Sequence, residues 1–220
     1  MRILIAGATG LVGQGVLREA LADAGVERIG ALLRHPLDRR EARLTPILAD
    51  DFADLTAVET QLAPYDACLY CAGVTPIGVD ENEYRRVTVD LTANVARVFG
   101  RLNPQARFLY ISGMGSNPDS RIMPLRVKGE AERTLQALPI ATTMLRTGGI
   151  QPAHGETSPH ALLRPLYAVG APVLGMGAKL APAWLTTTAA VGRAMLALAR
   201  MPNPPAVMEN AEINRLGAGT

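Results

Sequence analysis

The chain has 220 residues, 48% of them hydrophobic, with a formal net charge of +2. This describes one sizeable globular domain with a closed core. Its arginines are scattered rather than gathered into a basic stripe with interleaved aromatics, which excludes the usual nucleic-acid footprint, and the apolar run that opens the chain is too short for a secretory signal.

In chain order, short apolar runs alternate with helical patterns. "RILIAG" (2–7) reads as a buried strand ending in glycine, and "LVGQGVLREALADA" (11–24) as a helix with Val12, Val16, Leu17, Ala20 and Leu21 on one face. "ERIGALLR" (27–34) and "TPILADD" (45–51) predict the second and third strands, "LTAVETQLA" (55–63) a helix stopped by Pro64, and "DACLYCAG" (66–73) the fourth strand. A long helix is expected over 81–101, because Tyr84, Val87, Leu91, Val95 and Val98 step by three or four. "ARFLYISG" (106–113), a helix over 125–137 and "ATTMLRTG" (141–148) complete the series. The alternation predicts an α/β doubly wound parallel sheet whose ligand binds beyond the carboxyl ends of the strands.

The remainder is different in character. Residues 158–188 are apolar and broken by prolines, with Arg164 and Lys179 interrupting them. A lid or wall over the ligand crevice is the main reading, with a membrane-surface helix or a membrane span as alternatives. "TTTAAVGRAMLALAR" (186–200) then reads as a threonine-capped helix with Val191, Ala194, Met195 and Leu198 inward. One domain is expected, with residues 1–150 as its dinucleotide-binding core and 151–220 packed on it as a lid and substrate region.

Cys68 and Cys71 form a C-x-x-C within the fourth strand, where residues three apart face opposite sides. No second ligand pair accompanies them, so they read as core thiols rather than a metal site, in a reducing, cytoplasmic setting.

Gly7, Gly10 and Gly13 are spaced G-x-x-G-x-x-G between the first strand and the first helix. Gly7 permits the tight turn, Gly10 lets a pyrophosphate approach the backbone, and Gly13 lets helix and strand pack closely. The backbone of Thr9, Gly10, Leu11 and Val12 would face the phosphates at the positive end of the helix. About 20 residues on, where an NAD site carries an acid, the sequence reads "LLRHP". Arg34 offers a planar fork suited to a 2′-phosphate, with Arg39 and Arg40 adding positive potential, so NADP is expected, with NAD as the alternative.

These motifs resemble the short-chain dehydrogenase/reductase superfamily, in its atypical branch near the NmrA-like and NAD-dependent epimerase/dehydratase-like proteins, and specifically a small bacterial subgroup with "VKG" and "IQP" segments. The resemblance implies that Asp50 or Asp51 meets the adenine ring and that Cys71, Ala72 and Gly73 line the cofactor. It also implies that Ser112 is the family's catalytic serine, that Lys128 holds the nicotinamide ribose, and that Gly148 belongs to the turn after the sixth strand, with Thr147 in place of a proline. Two polar catalytic positions also depart from the pattern. Pro124 stands where the family's proton-transferring tyrosine lies, four residues before Lys128, and Thr88 stands where extended members carry asparagine. His154, in the loop after the sixth strand, is the candidate replacement acid. Tyr110 and Tyr84 read as core and packing residues, and Tyr167 lies in the expected lid. The implied function is an NADP(H)-dependent oxidoreductase or epimerase acting on an unidentified small molecule. A non-catalytic dinucleotide sensor is the alternative, and a membrane-surface assembly factor using residues 162–180 is the weaker one. A homodimer through the long helices is a family expectation.

Overall fold

The computed structural model describes residues 1–156, 181 and 183–218. Tyr167, Arg164, Lys179 and the whole 162–180 stretch lie outside the described residues. The strands are β1 (Arg2–Ala6), β2 (Arg28–Leu33), β3 (Leu44–Leu48), β4 (Ala67–Tyr70), β5 (Arg107–Gly113), β6 (Ala141–Thr147), β7 (Gly149–Gln151), β8 (Leu185–Thr187) and β9 (Val207–Glu209). Seven of them form one parallel sheet in the order β3-β2-β1-β4-β5-β6-β9, while β7 and β8 pair in parallel beside it. Because β4 returns to the far side of β1, the strand order reverses between them, and that switch point opens the crevice in which such sheets bind ligands.

Strands buried on both faces carry continuous apolar runs, and Ile3 to Ala6 and Ala67 to Tyr70 are all buried. On one face Cys68, Tyr70, Phe108 and Tyr110 pack with Val95, Phe99, Val127 and Leu135. On the other, Ile3, Ile5, Leu69 and Leu109 pack with Val16, Leu17, Val191, Met195 and Ile213. Cys68 belongs to the first cluster and Cys71 borders the second, as alternation along a strand requires. Both cysteines are free.

The first face is covered by a 3₁₀ segment (Thr56–Leu62), α2 (Glu81–Arg85), a π-helical segment (Arg86–Leu91), α3 (Thr92–Leu102) and α4 (Met123–Gln136). The second is covered by α1 (Leu11–Ala22), α5 (Thr188–Arg200) and α6 (Asn210–Gly217). Thr187 caps α5 through its side chain, and Val191, Ala194, Met195 and Leu198 are fully buried. No helix among the described residues is long and apolar enough to cross a membrane.

Four features differ from the periodicity. The expected helix over 55–63 is 3₁₀, and the long helix carries a π segment that buries Val87, Thr88, Val89 and Leu91 together. Four buried positions in five residues exceed one α-helical stripe, and the wider turn accommodates them. β7, β8 and β9 are three residues each, too short for a two-residue period to register. Finally, β9 and α6 follow α5 and extend the sheet and its helical cover, an addition that the 151–220 reading did not resolve.

Candidate dinucleotide site

The loop from β1 into α1 is built by its glycines. Gly7 has φ of +82°, a region where L side chains rarely sit, and a Cβ there would lie 2.6 Å from the Ala72 backbone at the end of β4. A Cβ on Gly13 would fall 2.0 Å from the Gly7 carbonyl oxygen, so only glycine lets α1 start this close to the turn. Gly10 is open instead, since its Cβ would meet nothing nearer than that oxygen at 3.5 Å. Gly10 is also the helix cap and makes no side-chain capping bond, which leaves the first-turn N–H groups around Leu11 and Val12 directed at that open face.

Beside the turn lies a cavity of about 450 Å³ lined by Gly7, Thr9, Gly10, Leu32, Leu33, Arg34, His35, Phe52, Cys71, Ala72 and Gly73. Arg34 stands exposed at its mouth, at the end of β2. Neither Asp50 nor Asp51 is among the lining residues; both are exposed, and the wall after β3 is the buried Phe52. Asp51 instead accepts from the Ala53 N–H at 3.0 Å and approaches Arg86 at 3.8 Å. Asn94 on α3 fixes this wall, donating from Nδ2 to the carbonyls of Phe52 (2.8 Å) and Ala53 (3.1 Å). Asn94→Ala is therefore expected to weaken NADPH binding about tenfold, the order of two modest hydrogen bonds. The affinity for reduced nicotinamide mononucleotide, which lacks adenine, should stay unchanged; titrating both by fluorescence checks it.

The glycine turn, the open face of Gly10 and a cavity with an apolar wall and a cationic mouth fit an extended dinucleotide. Gly7, Thr9 and Gly10 would hold its pyrophosphate, and Phe52 and Cys71 to Gly73 would line its adenosine side. Burial pushes the Cys71 thiol up to about 12, so it serves as a neutral wall.

At the ends of β5 and β6 the polar residues form two linked groups. Ser112, only 3% exposed, donates from Oγ to Oε1 of Glu132 at 2.5 Å and lies 3.0 Å from Ser116 Oγ. Glu132, 4% exposed, also accepts from Arg146 Nε (3.0 Å) and Nη2 (2.7 Å), and Arg146 reaches Glu209 on β9 at 3.2 Å. The parallel register places Ser112 beside Arg146, and one helical turn places Glu132 on the face of α4 that carries Lys128. Thr147 Oγ1 donates to the Ser112 carbonyl, and the Gly148 N–H donates to Asn210.

Lys128 donates to the hydroxyl of Tyr110 (3.0 Å) and to the carbonyl of Ile111 (2.9 Å), with its Nζ 4.7 Å from the centre of the Tyr110 ring. Burial holds its ammonium down to about 8, opposed by the negative charge of Glu132. Burial raises Tyr110 well above the ordinary phenol range and also raises Tyr84, whose hydroxyl is engaged by Thr88. Pro124 occupies the first turn of α4, where a missing N–H costs little. His154 does not join these groups. It lines a second cavity of about 420 Å³ with Thr9, Gln14, Arg18, Arg39 and Glu156, and its own N–H donates to Glu156. Ser112 and Lys128 are thus brought together and His154 is held apart from them, on the far side of the glycine turn. Phe52, Asn94 and Glu132 went unnoticed in the sequence. For Glu132 a signal existed, an acid four residues after the lysine. No group of His, Cys, Asp or Glu among the described residues is arranged to hold a metal ion.

Fold and cavity together define a Rossmann-type dinucleotide-binding protein. Residues 7–165 match the family described as NAD(P)H-binding, and the chain belongs to it. It is 29% identical over 159 residues to "Protein FMP52, mitochondrial" of Kluyveromyces lactis, covering 68% of this chain and 67% of that one. Among solved structures, a thiolation-reductase di-domain from an archaeal non-ribosomal peptide synthetase superposes with a TM-score of 0.71 at 19% identity. The match covers 94% of this chain and 55% of the di-domain, so the chain spans about half its length. UDP-glucuronic acid 4-epimerase from Bacillus cereus, in complex with NAD, superposes with a TM-score of 0.69 at 13% identity over 94% of this chain and 76% of the other. Two expectations are corrected here. The curated FMP52 relatives are fungal rather than bacterial, and their names carry the word mitochondrial, which contradicts the cytoplasmic location inferred from reduced cysteines. Free thiols report a reducing environment without naming the compartment.

Proposed function

We propose that this protein binds NADP(H) and uses it to reduce a small carbonyl compound. The observation that carries the cofactor preference is the cavity beside the glycine turn. Arg34 and His35 are among its described lining residues, and no carboxylate is. An NAD-selective site sets an acid against the ribose 2′-OH, whereas a guanidinium fork suits a 2′-phosphate. When bound, NADPH supplies the hydride. The chain's own residues hold and exclude: Gly7, Thr9 and Gly10 seat the pyrophosphate, Phe52 closes the adenine side, and Lys128 presents a cation at the end of β5.

A thermal-shift series tests the preference. A ligand at about 100 times its dissociation constant stabilises a fold by about 2.7 kcal/mol. NADPH is expected to stabilise more than NADH, and Arg34→Asp to reverse the order. Equal shifts for both cofactors in the unaltered protein would sink the preference.

A second reading, a dinucleotide sensor without turnover, is favoured by the Ser112 hydroxyl, whose proton is committed to Glu132, and by Pro124. Under that reading NADPH binds tightly yet remains unoxidised across a broad panel of aldehydes and ketones.

A further inference from the structure

Of the 22 Lys and Arg residues in the chain, two are lysines, Lys128 and Lys179. In so arginine-rich a protein, one of the two lysines stands at the end of β5, and a lysine, unlike an arginine, can release a proton. Among the described residues Lys128 makes no ion pair. Two of its three ammonium protons go to neutral acceptors, the Tyr110 hydroxyl and the Ile111 carbonyl, and the third has no acceptor among the described residues, at the carboxyl edge of the sheet where ligands of this fold bind. The nearby alternatives are all committed. Pro124 has no proton to give, Ser112 is bonded to Glu132, and Tyr110 is 1% exposed.

We propose that Lys128 is itself the proton donor and acceptor of this site, performing the step that a tyrosine performs elsewhere in the superfamily. This rests on the reductase reading above. As hydride from NADPH adds to the carbonyl carbon, the π pair moves onto oxygen. The oxygen takes a proton from Nζ as the N–H bond breaks and its electron pair stays on nitrogen. The products are the alcohol, NADP⁺ and a neutral lysine, which water reprotonates. Tyr110 acts as a positioning residue that holds Nζ at the edge. The titratable groups facing the ammonium are Tyr110 on β5 and Glu132 on α4, with Tyr84 on α2 acting on Tyr110 behind it and the charge of Glu132 largely engaged by Arg146. The direction set by burial, down to about 8, keeps the ammonium mostly protonated at neutral pH and poised to transfer.

The test uses the full chain and its Lys128→Arg and Lys128→Met variants. Single-turnover oxidation of NADPH is followed against small aldehydes and ketones from about pH 6 to about pH 10, a range spanning the ordinary and lowered lysine values. Lys128→Arg keeps charge and donors, so NADPH affinity should hold within about threefold while the hydride-transfer rate falls about 10²- to 10⁴-fold. The wild-type rate should drop as pH rises through about 8, and the variants should lose that inflection. Independently of turnover, the reactivity of Lys128 toward an acylating reagent, read by mass spectrometry without cofactor, should titrate near 8 rather than near the ordinary value of about 10.4. Lys128→Met, which removes the cation, covers the case in which the arginine does not fit. A variant that turns over within about threefold of wild type, or a Lys128 titration at the ordinary value, overturns the proposal. A wild-type protein inert to the whole panel while Lys128 titrates near 8 overturns the reductase reading, and the proton-transfer role falls with it.

Discussion

Glu132→Leu is expected to lower the unfolding free energy by about 3–5 kcal/mol, the usual cost of removing one partner of a buried ion pair. The carboxylate accepts from Ser112 and twice from Arg146. Its loss strands the half-buried guanidinium with only the exposed Glu209 and leaves the buried Ser112 hydroxyl without that acceptor. The double replacement Glu132→Leu with Arg146→Met should recover most of the loss, because apolar side chains of similar volume often substitute for a buried pair without cost. Urea unfolding of the two single variants and the double variant measures the coupling. Additive losses would show that the three groups do not act as a unit.

Gly13→Ala is the second large effect. Its methyl group would meet the carbonyl oxygen and carbon of Gly7 at 2.0 and 2.7 Å and the Ala8 Cα at 2.8 Å. All three are backbone atoms, so no rotamer relieves the clash and α1 must back away from the turn. A loss of about 3 kcal/mol, at the upper end for overpacking, should accompany a fall of at least about tenfold in NADPH affinity. Gly10→Ala separates the two consequences. Its methyl group has room at 3.5 Å from the nearest described atom, so stability should change by less than about 1 kcal/mol, the ordinary scale of a surface substitution. Cofactor affinity should still drop, because the methyl occupies the face a pyrophosphate needs. Melting curves with and without NADPH distinguish these outcomes.

The frame was legible because buried parallel strands and amphipathic helices leave periods in the sequence, and β1 to β6 with α1, α4 and α5 follow those periods closely. The glycine turn was legible for a stricter reason: Gly7 and Gly13 exclude a side chain sterically, and Gly10 keeps open the face a pyrophosphate needs. Glu132 was hidden because its role depends on a register, Ser112 beside Arg146, that joins residues 34 apart in the chain. Asn94 was hidden because a polar residue on a helix surface carries no sign of the loop it will hold. The placement of His154, the candidate replacement acid, in a separate cavity with Thr9, Gln14 and Arg18 was not legible, because position along the chain after β6 does not say which side of the glycine turn the loop will take.

The two margins of the sheet bear on how copies of this chain behave when crowded. At one margin β3 turns the N–H of Ala49 inward to Leu33, so alternation along the strand directs the nitrogen of Pro46 outward, and proline has no hydrogen to offer there. At the other margin β9 presents three residues, Val207–Glu209. An incoming strand finds a missing donor on one side and too little length on the other, two of the ways in which natural sheets resist templating one another. Edge-to-edge pairing of two copies through β3 or β9 is thereby disfavoured, where a flat, open strand margin would nucleate aggregates.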